Sequence, residues 1–269
     1  MNFNIENKQP IARGRTAEIY AWREGYVLKL FLPNFFPDEA KHEAARVDAI
    51  CKAGIQTPSV KEIVTVSGRK GFVMGRVDGK SMLVHLQQDY GRVVDYAQQL
   101  AELHAQLHVH QSQELISVYD WLSLRIGWAD GISDNVKKKA LDQLSTLPAG
   151  NAVCHGDFHP DNVLLTLDGP IIIDWCNACH GHPLADVART SLLLSAGGLP
   201  PDLSPEEQAQ IEQVRQQFHD AYLMRYFELT SITLDQLSPW YLPVAVARIS
   251  ELESDEQAPI LAVISQHLD

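Results

Sequence analysis

The densest chemistry in this 269-residue chain lies in eight consecutive residues, His155-Gly156-Asp157-Phe158-His159-Pro160-Asp161-Asn162. A carboxylate at Asp157 stands five positions before an amide at Asn162. Phosphoryl transfer needs such a pair. One carboxylate must meet an attacking hydroxyl, and a neutral carbonyl oxygen one loop-turn away must help hold a divalent metal on the transferring phosphate. Downstream, Ile171-Ile172-Ile173-Asp174-Trp175 ends an apolar strand on an Asp, an oxygen ligand placed to bind Mg²⁺. Upstream, Val27-Leu28-Lys29-Leu30 sets a Lys in an apolar run, where an ammonium is costly without an anion nearby. Glu43, in the next segment, can pair with it and aim it at ATP phosphates. Arg13-Gly14-Arg15-Thr16-Ala17 can cover those phosphates with backbone N–H groups.

The elements that must position these groups follow from periodicity. Pro10 to Arg13, Glu18 to Trp22 and Tyr26 to Phe31 read as short strands, with Gly14 and Arg23-Glu24-Gly25 as breaks. After Pro37 the pattern turns helical. Ala40, Ala44, Val47 and Cys51 share one face of a helix over Asp38 to Lys52. Val60 to Val66 and Gly71 to Gly75 read as a hairpin around Ser67-Gly68-Arg69-Lys70. Later segments are mainly helical: Gly91 to His108, a helix from the capping box Ser204-Pro205-Glu206-Glu207 to about Tyr226, one opening at Ser238-Pro239, and Glu256 to Leu268. Val163 to Leu167 and Ile171 to Ile173 pair through Asp168-Gly169. A small β-rich lobe followed by a larger helical lobe is an α+β arrangement, with the boundary expected between residues 1–76 and 77–269.

Composition narrows the class. The net charge is −12, from 22 Lys and Arg against 34 Asp and Glu. Nucleic-acid binding needs a basic surface to release counterions, so that class is disfavoured, whereas a cationic small acceptor is compatible. No run approaches the ~18 apolar residues of a membrane span. Met1 to Pro10 is polar and lacks the apolar stretch of a signal peptide. A cytoplasmic setting is expected, with Cys51, Cys154, Cys176 and Cys179 as reduced thiols.

H-G-D-x-x-x-x-N followed by I-I-D-W resembles the signature of aminoglycoside phosphotransferases and choline-kinase-type small-molecule kinases, from about Ile11 to about Ala188. The resemblance implies a bilobal protein-kinase-like fold with ATP and Mg²⁺ bound between the lobes. It places Asp157 as catalytic base, Asn162 and Asp174 as metal ligands, Lys29 on phosphate and Glu43 as its partner. Phe72 to Val77 becomes the interlobe hinge that meets adenine, through Met74, Gly75 and Val77. Gly14 and Arg15 join the nucleotide set, and Asp186 braces the catalytic loop. Gly156 stands where protein kinases carry the Arg that receives an activation-loop phosphate. Trp175 replaces Phe-Gly, and there is no A-P-E segment. The acceptor implied is therefore a small-molecule hydroxyl: an aminoglycoside, choline, a sugar or an amino alcohol.

Other readings compete. A protein Ser/Thr kinase would use the same residues, and a weakly active nucleotide-binding scaffold would keep the fold alone. Cys176-Asn177-Ala178-Cys179-His180 has C-x-x-C-H spacing, which can mark haem attachment or, with His182, zinc. It lacks a second ligand pair, and it follows the metal Asp where a loop is needed. His104 and His108 are spaced as ligands but sit among Leu100, Leu103 and Leu107, as core residues do. Asp120, Trp121 and Trp128, in the stretch before the catalytic loop, suit an amine- or hydroxyl-rich acceptor by ion pairing and stacking. An amphipathic helical hairpin with solvated acids is the plainer alternative for that stretch, which also holds Asp130 and Asp134.

Overall fold

The computed structural model describes residues 5, 8–33, 35–36, 38–197 and 203–268. Met1 to Asn4, on which part of the N-terminal reading rests, and Pro37, where the pattern turns helical, lie outside the described residues. The chain groups into two compact units. Unit 1 is Met1–Lys80 with Val163–Cys176, and unit 2 is Ser81–Asn162 with Asn177–Asp269. The hairpin before Asp174 thus leaves the C-terminal stretch and joins the first unit.

Unit 1 carries β1 (Ala12–Arg13), β2 (Ala17–Arg23), β3 (Tyr26–Phe31), α1 (Glu39–Lys52), β4 (Val60–Val66) and β5 (Arg69–Gly75). The strands form an antiparallel sheet in the order β1-β2-β3-β5-β4. The β4–β5 turn is tighter than expected. Ser67 and Gly68 take positive φ, 49° and 77°, and Arg69 already belongs to β5. Strand alternation sorts β3. Leu28 and Leu30 pack with Tyr20, Val66 and Val73, while Phe31 packs with Ala17, Phe72 and Ala40 of α1. Lys29 shares the Phe31 face and so points toward α1 and Glu43. The short β6 (Lys80–Ser81) spans the boundary between the units.

Unit 2 contains α2 (Met82–Gln88), α3 (Val93–Leu107), α4 (Val118–Gly127), α5 (Asp134–Thr146), β7 (Ala152–Cys154), α6 (Pro183–Ser195), α7 (Pro205–Thr230), α8 (Leu234–Leu237), α9 (Tyr241–Ile249) and α10 (Ala258–Gln266). Between β7 and α6 the chain supplies β8 (Val163–Thr166) and β9 (Gly169–Ile172) to unit 1, then β10 (Cys179–Gly181), which pairs with β7. The capping box at Ser204 and Glu207 is fully formed, and α7 runs four residues past the expected Tyr226 to Thr230. A left-handed Ser231 closes it. On α3, the buried residues Ala97, Leu100, His104 and Leu107 recur at helical spacing. Among the described residues, no helix is long and apolar enough to cross a membrane.

The β3–β5 contact is close enough to fix one residue type. A Cβ added at Gly71 would lie 2.3 Å from the Lys29 carbonyl oxygen. Gly71→Ala must push β3 and β5 apart, with an expected loss of about 1–3 kcal/mol in denaturant unfolding. An unchanged midpoint would contradict this packing.

Candidate active site

In unit 1, Lys29 is 5% exposed and Glu43 2%. The Lys29 ammonium donates to Glu43 Oε1 at 2.6 Å and to Asp174 Oδ1 at 2.9 Å. Burial alone would push this amine's pKa down, but the two carboxylates more than reverse that and hold it charged. Two of its three N–H donors are taken, and the third is uncommitted among the described residues. Burial raises the Glu43 carboxyl against the pull of Lys29, and its second oxygen has no partner among the described residues. Asp174 adopts φ 65°, a left-handed conformation uncommon for a residue with a Cβ, two residues past the end of β9. The next residue fixes it there: Trp175, 1% exposed, donates to Thr57, whose hydroxyl donates to the Ile172 carbonyl.

In unit 2, the segment from His155 to Asn162 is held from beneath by Asp186 of α6. Its carboxylate accepts the backbone N–H of His155 at 2.6 Å and of Gly156 at 2.8 Å. His104 and His108 approach the same carboxylate at 3.0 and 3.4 Å, backed by Tyr222 and Tyr226 hydroxyls at 2.6 and 2.7 Å. Burial pushes Asp186 up, yet the two imidazoles and their hydrogen bonds bring it well below the usual carboxylate range. Burial, reinforced by His108, lowers His104 from 6.5 to about 4. Gly156 has φ 75°, and a Cβ there would lie 2.4 Å from the Asn177 carbonyl. This position therefore needs glycine for steric reasons, whatever residue other kinases place there.

Asp157 and Asn162 come together as the spacing requires. The Asn162 amide nitrogen donates to the Asp157 carbonyl at 2.9 Å. A carbonyl only accepts, so the NH₂ must face it, and the Asn162 oxygen is left as the ligand-capable atom. Burial would raise Asp157, but His159 and the Arg189 guanidinium outweigh it and hold the carboxyl far below its ordinary value. Asp161 is spent on Ser81, whose hydroxyl donates to it at 2.6 Å.

Residues not anticipated surround Asp157. Arg189 of α6, 2% exposed, donates to the Gly156 carbonyl at 2.7 Å and to Glu251 at 2.6 Å, and lies 3.6 Å from Asp157 Oδ1. Arg125 and Arg248 also pair with Glu251. The sequence signal for Arg189 is a lone cation in the otherwise uncharged stretch Val187 to Ala196. Glu251 carries no such signal.

The remaining expected site residues are spread. Gly14 closes the β1–β2 turn, its N–H on the Ala17 carbonyl at 2.9 Å, and Arg15 is exposed. Met74 and Gly75 end β5 half-buried, with Val77 just beyond. Ser117 caps α4, its hydroxyl accepting the Asp120 N–H at 3.0 Å and donating to the Asp120 carboxylate at 2.6 Å. Trp121 is buried under the guanidiniums of Arg125 and Arg189, at 5.3 and 5.5 Å from its ring centre, whereas Trp128 is 59% exposed. The Cys176–His180 segment assembles no three-ligand cluster among the described residues. Cys179 instead pairs across β10 and β7 with Cys154.

A sheet unit presenting a carboxylate-clamped lysine, and a helical unit presenting an Asp-x-x-x-x-Asn loop on a buried Asp, define the protein-kinase-like class of phosphotransferases. The chain belongs to the phosphotransferase enzyme family (APH), whose family model matches residues 9–225. Among solved structures it is similar to a thermostable mutant of aminoglycoside phosphotransferase APH(4)-Ia in complex with ADP and hygromycin B. The TM-score is 0.66 at 15% identity, over 98% of this chain and 95% of that one. It is similar also to amicoumacin kinase hAmiN in complex with AMP-PNP, Ca²⁺ and Ami, at TM-score 0.60 and 14% identity, over 99% and 89% of the two chains. A choline/ethanolamine kinase family protein from Mesorhizobium loti gives TM-score 0.60 at 14% identity, over 97% and 90%. At these identities the likeness concerns the fold. No curated protein matches the chain.

The buried histidine predicts how stability depends on pH. An unfolded His104 takes its proton near 6.5, while the folded one resists until about 4. Between those values the unfolded state binds more protons, so stability falls on acidification, by roughly 1.4 kcal/mol per pH unit for one full proton. Urea unfolding from pH 7 to 4 should show this slope, and His104→Gln should flatten it. A wild-type curve flat over that window would contradict a neutral buried His104.

Proposed function

We propose that the protein transfers the γ-phosphate of ATP to a hydroxyl of a small molecule, with Mg²⁺ as cofactor. The observation that carries this reading is the buried Lys29 ammonium, clamped by Glu43 and Asp174 with one donor to spare. A desolvated, oriented cation of that kind suits a phosphate group, and few other ligands would repay its burial. In this reading residues 1–76 bind nucleotide and 77–269 carry catalysis and the acceptor. Gly14 and Arg15 cover the phosphates, and Met74, Gly75 and Val77 meet adenine. Asp120, Trp121 and Trp128 border the acceptor. The setting is the cytoplasm, which supplies ATP and keeps the four cysteines reduced.

The donor set fits a hard cation. Asn162 offers an amide oxygen with its nitrogen committed elsewhere, and Asp174 a carboxylate whose side chain is 39% exposed. When bound there, Mg²⁺ would neutralise charge on the phosphates. The lowered Asp157 carboxyl stays ionised at neutral pH and is a weak base. It serves mainly to hold the acceptor hydroxyl in line, taking its proton late. His159 and Arg189 keep it ionised and fixed. The protein Ser/Thr kinase alternative gains no support, since Gly156 is set by close packing and leaves no cation there for a phosphorylated segment.

Three variants test these roles by steady-state kinetics, with ATP affinity measured separately. Asp157→Asn should lower turnover by ~10²-fold or more while nucleotide affinity persists. Lys29→Ala should weaken both. Asp174→Ala should abolish metal-dependent turnover, and normal turnover in that variant would end the metal assignment.

A further inference from the structure

The two oxygens of Asp157 are not equivalent. Oδ2 faces the Asn162 amide nitrogen at 3.4 Å and His159 Nε2 at 3.5 Å. Oδ1 accepts no hydrogen bond among the described residues, and Arg189 Nη2 stands 3.6 Å from it. Charge-assisted N–H···O contacts close to about 2.7–2.9 Å when nothing prevents them. The Arg189 guanidinium is therefore withheld from the one oxygen of Asp157 that is left open.

Glu251 supplies the restraint. Arg189 is buried, and its planar fork is committed on two sides: Nε donates to the Gly156 carbonyl at 2.7 Å and Nη2 to Glu251 Oε2 at 2.6 Å. Burial alone would work against the Arg189 charge. Glu251 does most to restore it, ahead of Asp157 and Asp186. Glu251 cannot follow Arg189 toward Asp157, because Arg125 Nη1 lies 3.4 Å from its Oε1 and Arg248 Nη1 is in direct contact with its Oε2. Arg125 is itself stacked against Trp121 and Trp128, 5.3 and 5.9 Å from their ring centres, and bonded to Asn177 at 3.2 Å. Three carboxylates, Glu251, Asp157 and Asp186, face the three guanidiniums, so no ligand charge is needed to complete the group. Its effect is geometric: it fixes how near Arg189 comes to Asp157. Glu251 lies two residues past α9, beyond residue 225 where the family match ends.

We infer that Glu251 is a positioning residue: by holding Arg189, it keeps Asp157 Oδ1 free to meet the acceptor hydroxyl. This rests on the phosphotransfer reading and deepens it. A Glu251 that only neutralised the arginines would be a packing feature, and its loss would add independently to the loss of Arg189.

Choline, glucose, serine and kanamycin are screened with ATP and Mg²⁺ by ³¹P NMR, and any that takes phosphate serves for kinetics. In Glu251→Gln, a crystal structure should show Arg189 Nη2 closed onto Asp157 Oδ1 at about 2.8 Å. Turnover should fall by ~10- to 100-fold with AMP-PNP affinity unchanged, because the acceptor loses its oxygen while the nucleotide loses nothing. Arg189→Met is compared with the double variant carrying both changes, since taking out a buried pair together disturbs folding less than breaking it. Once Arg189 is gone, Glu251→Gln should cost no further turnover. This comparison decides the matter if circular dichroism shows that Glu251→Gln alone does not fold. A separation still near 3.6 Å, turnover at the wild-type level, or an equal further loss in the double variant would each overturn the inference. A wild type that phosphorylates none of the four compounds would instead sink the phosphotransfer reading, and closure of Arg189 onto Asp157 in Glu251→Gln would still establish the hold of Glu251.

Discussion

The buried carboxylate of Asp186 holds two consecutive backbone amides, His155 and Gly156, directly before Asp157. A loop with a left-handed glycine has little intrinsic reason to keep one shape. Charge-assisted bonds to both amides remove that freedom, and the carboxylate cannot shift because two imidazoles bear on it as well. Those imidazoles are in turn set by tyrosines of α7. The position of Asp157 therefore depends on packing between α3, α6 and α7.

Unit 1 solves a different problem. Lys29 sits in a strand whose neighbours are all apolar, where an unpaired ammonium would be untenable. Strand alternation turns it to the α1 face, where Glu43 meets it, and Trp175 locks the turn that brings Asp174. The two units thus hold their charged groups by separate means, a tryptophan-anchored turn in one and an aspartate-anchored loop in the other.

Much of this was legible in the sequence because the signals are local. An apolar run with one Lys, a helix with one inward Glu, and an Asp five residues before an Asn each declare themselves within a short window. The five-strand sheet, α1, α3 and the α7 cap were readable for the same reason. The Arg189–Glu251 pair was not, because its members lie 62 residues apart and only packing joins α6 to the end of α9. Helices α4 and α5 were legible only as an unbounded helical hairpin, the plainer reading of their stretch, because the serine caps at Ser117 and Ser133 are brief signals without strong apolar periodicity. The strands β7 and β10 are three residues each, too short to show alternation.

The left-handed backbone at Asp174 separates two properties that usually decline together. Asn and Gly are the residues that best tolerate φ 65°, and either could replace Asp174 with little conformational cost while removing the carboxylate. Most residues with a larger side chain would strain the turn as well as remove the charge. Drift at this position is therefore channelled: the easiest changes yield a stable, well-folded chain that has lost the carboxylate facing Lys29. A descendant could lose this one charge through a single such change and keep the fold, the Trp175 anchor and the Lys29–Glu43 pair intact.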